Sequence, residues 1–266
     1  MTNDYIDIII TVLLTREGQL GSPRRDGYLK HLLKSINKFT NYPYKIHIVT
    51  DVRNEEEQTL FDELKDSFSD REDVFLLKSI NKNKDINDVW VYTEKDKRRV
   101  GVSSINKSLA YETGIRNSSG KYVCLLDYDC VFLNEWTEMI LPLTEKYFFV
   151  SAMWRGDLNI ARDQFFIYKR NKFEDINLMP DCTIGDTSGN VSHYAIENNL
   201  EFYICKNSSS WGDKSLTKEH LVDLGRGEQI WVDSVPFLYH YGRGSSKDDY
   251  WFDLWNKEVG KYLEDK

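Results

Sequence analysis

Two aspartates two positions apart, Asp127 and Asp129, follow an apolar run and could bind a divalent cation. The run, Tyr122–Leu126, is typical of a central strand buried on both faces of a parallel sheet. Side chains alternate along a strand, so residues two positions apart point to the same side. Two neighbouring carboxylates repel each other, and Mg²⁺ or Mn²⁺ would relieve that repulsion. The alternative is a strand that ends in a solvated Asp-Tyr-Asp turn.

Strands and helices that would position these carboxylates follow one another along the chain. Apolar residues at helical spacing predict helices, and short apolar or β-branched runs predict strands. The polar stretch Lys78–Lys97 is predicted to be a loop. The predicted strands are Tyr5–Leu14, Lys45–Thr50, Val74–Leu77, Tyr122–Leu126, Phe148–Trp154 and the apolar run from Val235. The predicted helices are Tyr28–Phe39, Glu55–Phe68, one from Ser103 or Ser104 to Asn117, Asn134–Leu141, and one through Val191 and Ile196. The length of 266 residues suffices for one large α/β domain or two small ones.

The stretch Ser119–Asp129, with the sequence SGKYVCLLDYD, resembles the strand and Asp-x-Asp motif of nucleotide-sugar-dependent glycosyltransferases with the GT-A fold. It is most similar to the broad family 2 group. The resemblance extends over most of the chain as an order of motifs and is specific in a few short stretches. It implies a single α/β domain over residues 1–266, with a mostly parallel sheet flanked by helices. Residues 1–135 would hold the nucleotide and residues 136–266 the acceptor.

Several residues near the ends of the early elements are similar to those that touch the donor nucleotide in this family. Thr15 follows the first strand, Asp51 follows the second, and Asn106 lies in the first turns of the helix before the Asp-x-Asp strand. Arg98 and Arg99 precede that helix, where a guanidinium could grip a diphosphate. The alternatives are a turn or cap role for Asp51 and a solvated surface position for the two arginines.

A late apolar run delivers His240 into a glycine-rich loop that contains Arg243. In GT-A enzymes a histidine in a similar position can contribute to the metal or the donor diphosphate, and imidazole completes an oxygen-rich Mn²⁺ site well. The resemblance therefore implies a Mn²⁺ or Mg²⁺ site made by Asp127, Asp129 and His240. Asp127 would also touch the donor, and Arg243 would hold phosphate oxygens. The alternative for His240 is a structural role.

Family 2 enzymes place an acidic residue at the start of a helix in the second half of the chain, where it deprotonates the acceptor hydroxyl. Asp186 matches that position best, and Asp181 is the second candidate. The sequence departs from the family pattern at Gly185, where a second acid often stands. The alternative for either aspartate is a helix N-cap, which is among the commonest uses of Asp.

The chain is acidic, with 35 Lys+Arg against 43 Asp+Glu and a net charge of −8. This makes it a poor candidate for sequence-independent nucleic-acid binding, and a bound diphosphate would need a local basic group or a metal. None of the four cysteines forms a Cys-x-x-Cys pair. That is neither a disulfide framework nor a zinc signature, and it fits a reducing compartment. No stretch is long and apolar enough to span a membrane, so the sequence predicts a cytoplasmic protein.

Taken with the resemblance, these features predict a metal-dependent glycosyltransferase that moves a sugar from a UDP-, GDP- or dTDP-sugar to a hydroxyl of a glycan or related acceptor. Inversion at the anomeric carbon is implied by the resemblance. The alternatives are a nucleotidyltransferase of similar fold, a phosphatase of the haloacid dehalogenase type, and a non-catalytic carbohydrate-binding protein. A nucleotidyltransferase usually shows a glycine-rich loop after the first strand, of which Leu14–Gly18 is a poor version. The aromatic face of a C-terminal helix after Ser246 could support an oligomer.

Overall fold

The computed structural model describes residues 3–12, 24–52, 54–79, 90–93, 98–156, 159–173, 188–209, 228–241, 257 and 259–264. The strands of these ranges are β1 (Asn3–Val12), β2 (Tyr44–Thr50), β3 (Val74–Lys78), β4 (Trp90–Thr93), β5 (Arg98–Gly101), β6 (Gly120–Asp127), β7 (Cys130–Phe132), β8 (Val150–Ser151), β9 (Trp154–Arg155), β10 (Ile160–Ala161), β11 (Phe165–Lys169), β12 (Tyr203–Ile204), β13 (Lys206–Ser209), β14 (Glu228–Val232) and β15 (Val235–His240). The helices are α1 (Arg24–Phe39), α2 (Glu55–Ser67), α3 (Val102–Arg116), α4 (Thr137–Lys146) and α5 (Gly189–Glu197), with a short 3-10 helix at Arg170–Lys172.

Seven of the described strands form one mixed sheet in the order β3-β2-β1-β6-β11-β8-β12. The pairs β1–β2, β1–β6, β2–β3 and β8–β12 are parallel, whereas β11 runs antiparallel to both of its neighbours. This sheet lies in a first compact unit, which comprises Met1–Leu14, Tyr42–Asp127 and Leu143–Ile204. Helix α2 joins the parallel strands β2 and β3, and α3 leads into β6. The predicted α/β class with a mostly parallel sheet is confirmed.

The centre of the seven-stranded sheet is formed by β1 and β6, whose middle residues are buried. Ile9 and Leu125 are register partners in this pair, and both belong to one core cluster with Tyr111 of α3 and Phe166 of β11. A strand covered on both faces has no solvent-facing side and is therefore largely apolar. The predicted first strand, Tyr5–Leu14, and the predicted central strand, Tyr122–Leu126, correspond to β1 and β6.

A buried polar cluster around Asp7 fixes the start of β6. The Asp7 side chain is fully buried, and its Oδ1 lies 2.7 Å from Nε2 of His47 on β2. Its Oδ2 accepts the Gly120 amide at 2.5 Å and Nη2 of Arg170 at 2.9 Å. The Arg170 Nε also donates to the Gly120 carbonyl at 2.7 Å. The Asp7 carboxylate on β1 thus contacts both neighbouring strands, β2 and β6, in the first unit.

The prediction of a loop over Lys78–Lys97 is wrong at Trp90–Thr93. These residues form β4, which pairs antiparallel with β5. Their aromatic and β-branched types suit a strand. The polar residues on either side masked that short signal in the sequence.

A second compact unit comprises Thr15–Asn41, Tyr128–Pro142 and Cys205–Lys266. Its described strands form a four-stranded antiparallel sheet in the order β13-β14-β15-β7. The core of this unit brings together side chains from α1, β7, the end of β15 and helical residues 259–264, namely Tyr28, Val131, Leu133, Tyr239, Tyr241, Val259 and Leu263. Each unit takes segments from both halves of the chain. The assignment of the nucleotide to residues 1–135 and of the acceptor to residues 136–266 stays a prediction.

Candidate metal centre

Three potential metal ligands, Asp129, Cys130 and His240, lie together in the second unit. One donor atom from each lies within 4.8 Å of the others, and all three residues are buried. The Nε2 atom of His240 is 3.4 Å from Oδ1 of Asp129. Asp129 and His240 are two of the three metal ligands that the sequence predicts, and the fold brings them together from distant parts of the chain.

Strand pairing sets this arrangement. His240 on β15 lies opposite Cys130 on β7 and opposite Glu228 on β14. Directly opposed residues of an antiparallel sheet have side chains on the same face, with Cβ atoms about 4.5–5.5 Å apart. The Glu228 Oε2 atom lies 3.2 Å from Nδ1 of His240. This contact favours the tautomer with its proton on Nδ1, which leaves the Nε2 lone pair for a metal.

Asp129 lies in the turn that precedes β7 and not on a strand. Because β6 ends at Asp127, the side-chain alternation that predicted a shared face for Asp127 and Asp129 does not extend across Tyr128. Alternation along one strand is therefore not a ground for a shared face, and the metal role of Asp127 stays a prediction. The backbone oxygen of Asp129 instead accepts the Tyr241 amide at 3.0 Å. This hydrogen bond holds Asp129 beside the end of β15, where His240 is the last strand residue.

Tyrosine rings surround this part of the second unit. The ring of Tyr28 packs at 5.4 Å from that of Tyr241 and edge-on at 6.1 Å from that of Tyr128. Burial raises the pKa of Tyr28, and the nearby Tyr241 and Asp129 raise it further, so the Tyr28 hydroxyl stays neutral. Asp129 itself is 5% exposed. A buried carboxylate is stabilised by a cation.

The donor set fits a divalent transition metal. It offers one carboxylate oxygen, one imidazole nitrogen and one sulfur within mutual reach. Carboxylate and imidazole together accept Mn²⁺ and its heavier neighbours, whereas Mg²⁺ strongly prefers oxygen ligands in octahedral geometry. The hydrogen-bonded Glu228 supplies the outer partner that metal-binding histidines usually have.

Asp127, the third predicted ligand, belongs to the first unit and is ion-paired there. The Nζ atom of Lys107 lies 2.5 Å from Oδ1 of Asp127 and 3.1 Å from Oδ1 of Asp163. The Tyr111 hydroxyl donates to Asp127 at 3.5 Å, and its ring centroid lies 5.6 Å from the Lys107 ammonium. Burial alone lowers the pKa of Lys107, but the charges of Asp127 and Asp163 outweigh it and hold that pKa well above its usual value. Lys107 therefore stays protonated and pairs with both carboxylates.

The remaining predicted site residues are distributed as follows. Asp51 directly follows β2 and is buried. Arg98 and Arg99 lie in β5, and Asn106 lies in the first half of α3. The predicted residues outside the described part of the chain are Thr15, Asp181, Asp186 and Arg243. Their roles, like those of the three residues in β5 and α3, stay predictions.

Four residues near the predicted ligands were not singled out from the sequence: Lys107, Cys130, Asp163 and Glu228. Cys130 directly follows Asp129, and that adjacency was a usable signal. Lys107 directly follows the predicted donor residue Asn106. Glu228 and Asp163 had no local signal, because the contacts that place them arise only from strand pairing and helix packing.

The chain matches no known family model, and no curated protein matches it. Solved structures do resemble it. It is similar to a protein from Desulfovibrio desulfuricans G20 described as a nucleotide-diphospho-sugar transferase, with a TM-score of 0.47 and 10% identity over 75% of this chain and 78% of that chain. It is also similar to 4-diphosphocytidyl-2C-methyl-D-erythritol synthase from Anaerococcus prevotii DSM 20548, with a TM-score of 0.47 and 12% identity over 76% of this chain and 86% of that chain.

The described residues define an α/β protein that carries a mostly parallel seven-stranded sheet and a buried Asp/Cys/His group. None of the helices assigned within them has both the length and the apolar character that crossing a membrane requires.

Proposed function

We propose that this protein is a metal-dependent glycosyltransferase that moves a sugar from a nucleotide-diphosphate donor to a hydroxyl of a glycan or related acceptor, with inversion. The observation that carries the proposal is the 3.4 Å approach of Asp129 Oδ1 to His240 Nε2. The two residues come from separate motifs of the resemblance. A bound Mn²⁺ or Mg²⁺ would act as a Lewis acid on the donor diphosphate and stabilise its charge as the sugar leaves.

Asp129 and His240 would hold this metal, with His240 oriented by Glu228. Asp51 remains a proposed contact to the nucleobase or ribose, because it is a carboxylate at the carboxyl end of β2, where open α/β sheets bind ligands. Asp127 remains a proposed metal and donor ligand. Asp127 already has a cationic partner in Lys107, which it shares with Asp163, and this supports a donor role more than a metal role. The other proposed donor residues are Thr15, Arg98, Arg99, Asn106 and Arg243.

Asp186 would take the acceptor proton as the hydroxyl attacks the anomeric carbon, with Asp181 as the second candidate. The matched variants Asp186→Asn and Asp181→Asn separate the two. The variant of the true base should keep nucleotide binding and lose transfer by at least about 100-fold, while the other keeps both. Normal turnover in both variants would remove these aspartates from the mechanism.

The buried thiols Cys124, Cys130 and Cys205 are in keeping with a reducing compartment. The proposed location is therefore the cytoplasm. An oligomer formed through the C-terminal helix is a separate proposal. The structure describes residues 257 and 259–264 of that region.

The experiment that tests this function is a thermal-shift panel of UDP, GDP, CDP, dTDP and ADP, each with Mn²⁺ and with EDTA. A ligand that binds only the folded protein stabilises it by an amount that grows with the logarithm of its saturation. We expect one diphosphate to raise Tm only when Mn²⁺ is present. The Asp129→Asn variant should lose that shift. No shift with any of the five would overturn the proposed donor class.

The chain offers a matched control for this variant. Asp233 lies in the exposed turn between β14 and β15 with a φ of 54°. Asn adopts this left-handed conformation readily, so Asp233→Asn removes one carboxylate from the same unit without backbone strain. It should keep the full metal-dependent shift. Equal losses in the two variants would mean a general charge effect and would contradict a ligand role for Asp129.

A further inference from the structure

We propose that Cys130 is a third protein ligand of the metal, and that the site therefore takes a cation of borderline softness such as Zn²⁺ or Co²⁺ in preference to Mg²⁺. This inference deepens the proposed function and rests on it for the presence of a metal at Asp129 and His240. Cys130 adds a sulfur to a site that the resemblance describes with oxygen and nitrogen only. The consequence is a different metal preference.

The interatomic distances fit a shared metal better than a direct contact. Oδ1 of Asp129 and Nε2 of His240 are 3.4 Å apart, which is longer than the usual N–H···O distance of about 2.9–3.0 Å. Two ligands that each lie about 2.0–2.2 Å from one tetrahedral cation are about 3.3–3.6 Å apart. The Cys130 sulfur completes the group, because all three donor atoms lie within 4.8 Å of one another.

The backbone holds the three donors in place before any metal binds. Cys130 and His240 are register partners in the β7–β15 pair, so their side chains share one face of the sheet. Asp129 precedes Cys130 in the chain, and its carbonyl accepts the amide of Tyr241. The backbone therefore holds three donor atoms within 4.8 Å of one another. Rigid strands give a more precise site than loops do.

Burial of the thiol is the third consideration. Cys130 is fully buried beside an aspartate that is 5% exposed and a histidine that is 6% exposed. A buried thiol beside a carboxylate and an imidazole has two further metal-binding groups within reach. Metal binding would release the thiol proton to solvent and form the sulfur–metal bond. Thiolate ligands select Zn²⁺ and similar cations, whereas oxygen-only sites select Mg²⁺.

Cobalt substitution tests the inference directly. Purified metal-free protein is titrated with Co²⁺ while the near-ultraviolet sulfur-to-cobalt charge-transfer band is recorded, and Zn²⁺ is then added in competition. The variants are Cys130→Ser and, as the matched control, Cys205→Ser. Cys205 is a buried thiol of the same unit whose pKa burial raises to about 12. Circular dichroism of each metal-free variant establishes that it is folded.

We expect the band in the wild-type protein and in Cys205→Ser, and its loss in Cys130→Ser. Zn²⁺ affinity should fall in Cys130→Ser by more than the about 10–100-fold expected of an outer-shell change, while Mn²⁺ affinity changes less. Metal binding without the band in the wild type would overturn the role of Cys130 and leave the proposed function intact. Binding of neither Zn²⁺ nor Mn²⁺ would overturn both.

If Cys130→Ser fails to fold, Cys130→Ala replaces it, because Ala makes no demand for a hydrogen-bond partner. A band that persists in a folded Cys130→Ala protein would also overturn the inference.

Discussion

The ammonium of Lys107 lies 2.5 Å from the Asp127 carboxylate and 3.1 Å from that of Asp163. One cation on α3 therefore binds the last residue of β6 and a residue just before β11. These two strands are antiparallel neighbours in the seven-stranded sheet. The side chains of Lys107, Asp127 and Asp163 are 25%, 20% and 4% exposed, so the charges lie largely out of water and depend on one another.

We predict that Lys107→Met lowers the free energy of unfolding by about 3 kcal/mol, the lower end of the range for a broken buried ion pair. The lower end applies because Lys107 is a quarter exposed. The raised pKa of Lys107 means that its contribution is fully present below the unfolded value of about 10.4 and is lost only as pH rises through the higher folded value. The difference in the free energy of unfolding between the wild type and Lys107→Met should therefore be constant between pH 6 and pH 9 when it is measured by urea titration.

The control for this variant is Arg116→Met. Arg116 is also on α3 and pairs with Glu112 one turn away, but its side chain is 66% exposed. An exposed pair of this kind contributes little. Arg116→Met should therefore keep nearly the stability of the wild type. Unchanged stability in Lys107→Met would contradict a stabilising role for the buried ion pairs.

Asp7 provides a second prediction, this one dependent on pH. Burial by itself raises the pKa of Asp7, but the hydrogen bonds from His47 and the Gly120 amide outweigh it and hold the pKa below its usual value. The stabilisation is thus present above the unfolded pKa of about 3.9 and is lost as pH falls through the folded value. We expect Asp7→Asn to cost about 3–5 kcal/mol at pH 7, because Arg170 loses its buried partner.

Urea denaturation at pH 7 and pH 3 measures this effect, and the gap between wild type and Asp7→Asn should shrink at the lower pH. Asp4→Asn is the matched control, since Asp4 is on the same strand and its side chain is 74% exposed. Its urea midpoint should stay close to that of the wild type. An equal gap at both pH values would contradict a charged Asp7 in the folded protein.

The third prediction concerns the effect of a side chain at Gly120, which is packed against β1. A Cβ atom at this position would lie 2.7 Å from the Tyr5 carbonyl oxygen and 2.8 Å from Oδ2 of Asp7. We expect Gly120→Ala to lower the free energy of unfolding by about 1–3 kcal/mol, the usual cost of overpacking. At Gly156 a Cβ would meet nothing within 4 Å, so Gly156→Ala should stay within about 0.5 kcal/mol of the wild type. Thermal or urea unfolding of the two variants measures the difference, and equal stability of both would contradict close packing at Gly120.

The fourth prediction concerns Glu228, which lies 3.2 Å from Nδ1 of His240. Glu228→Gln keeps the size of the side chain but weakens its hold on the imidazole proton. Metal affinity should fall about 10–100-fold, as for other outer-shell partners of metal-bound histidine. Competition against a chromophoric chelator measures the change. Glu138→Gln, an exposed glutamate of the same unit, is the control. Unchanged affinity in Glu228→Gln would exclude an orienting role.

Local sequence patterns determined much of the secondary structure. The apolar run of β6 predicted a central strand, because a strand covered on both faces has no polar side, and β1 and β2 were also predicted as strands. Helix α2 was predicted with both ends within one residue of the observed ones, whereas α1 ends where it was predicted to end but begins four residues earlier, at Arg24. Strand β7 escaped prediction because Cys130–Phe132 is too short to show a period.

The sequence by itself determined the α/β class and drew attention to Asp129 and His240. Residue types and the order of motifs carry that information, because both can be read along the chain without knowing which distant segments pair. Only the tertiary structure decided that Asp127 pairs with Lys107, whereas Asp129 lies with Cys130 and His240. Strand register and the turn after β6 set those contacts, and register depends on pairing between distant segments. The physical reason is that local patterns specify which face of an element is buried, while its partners across the sheet are set by packing.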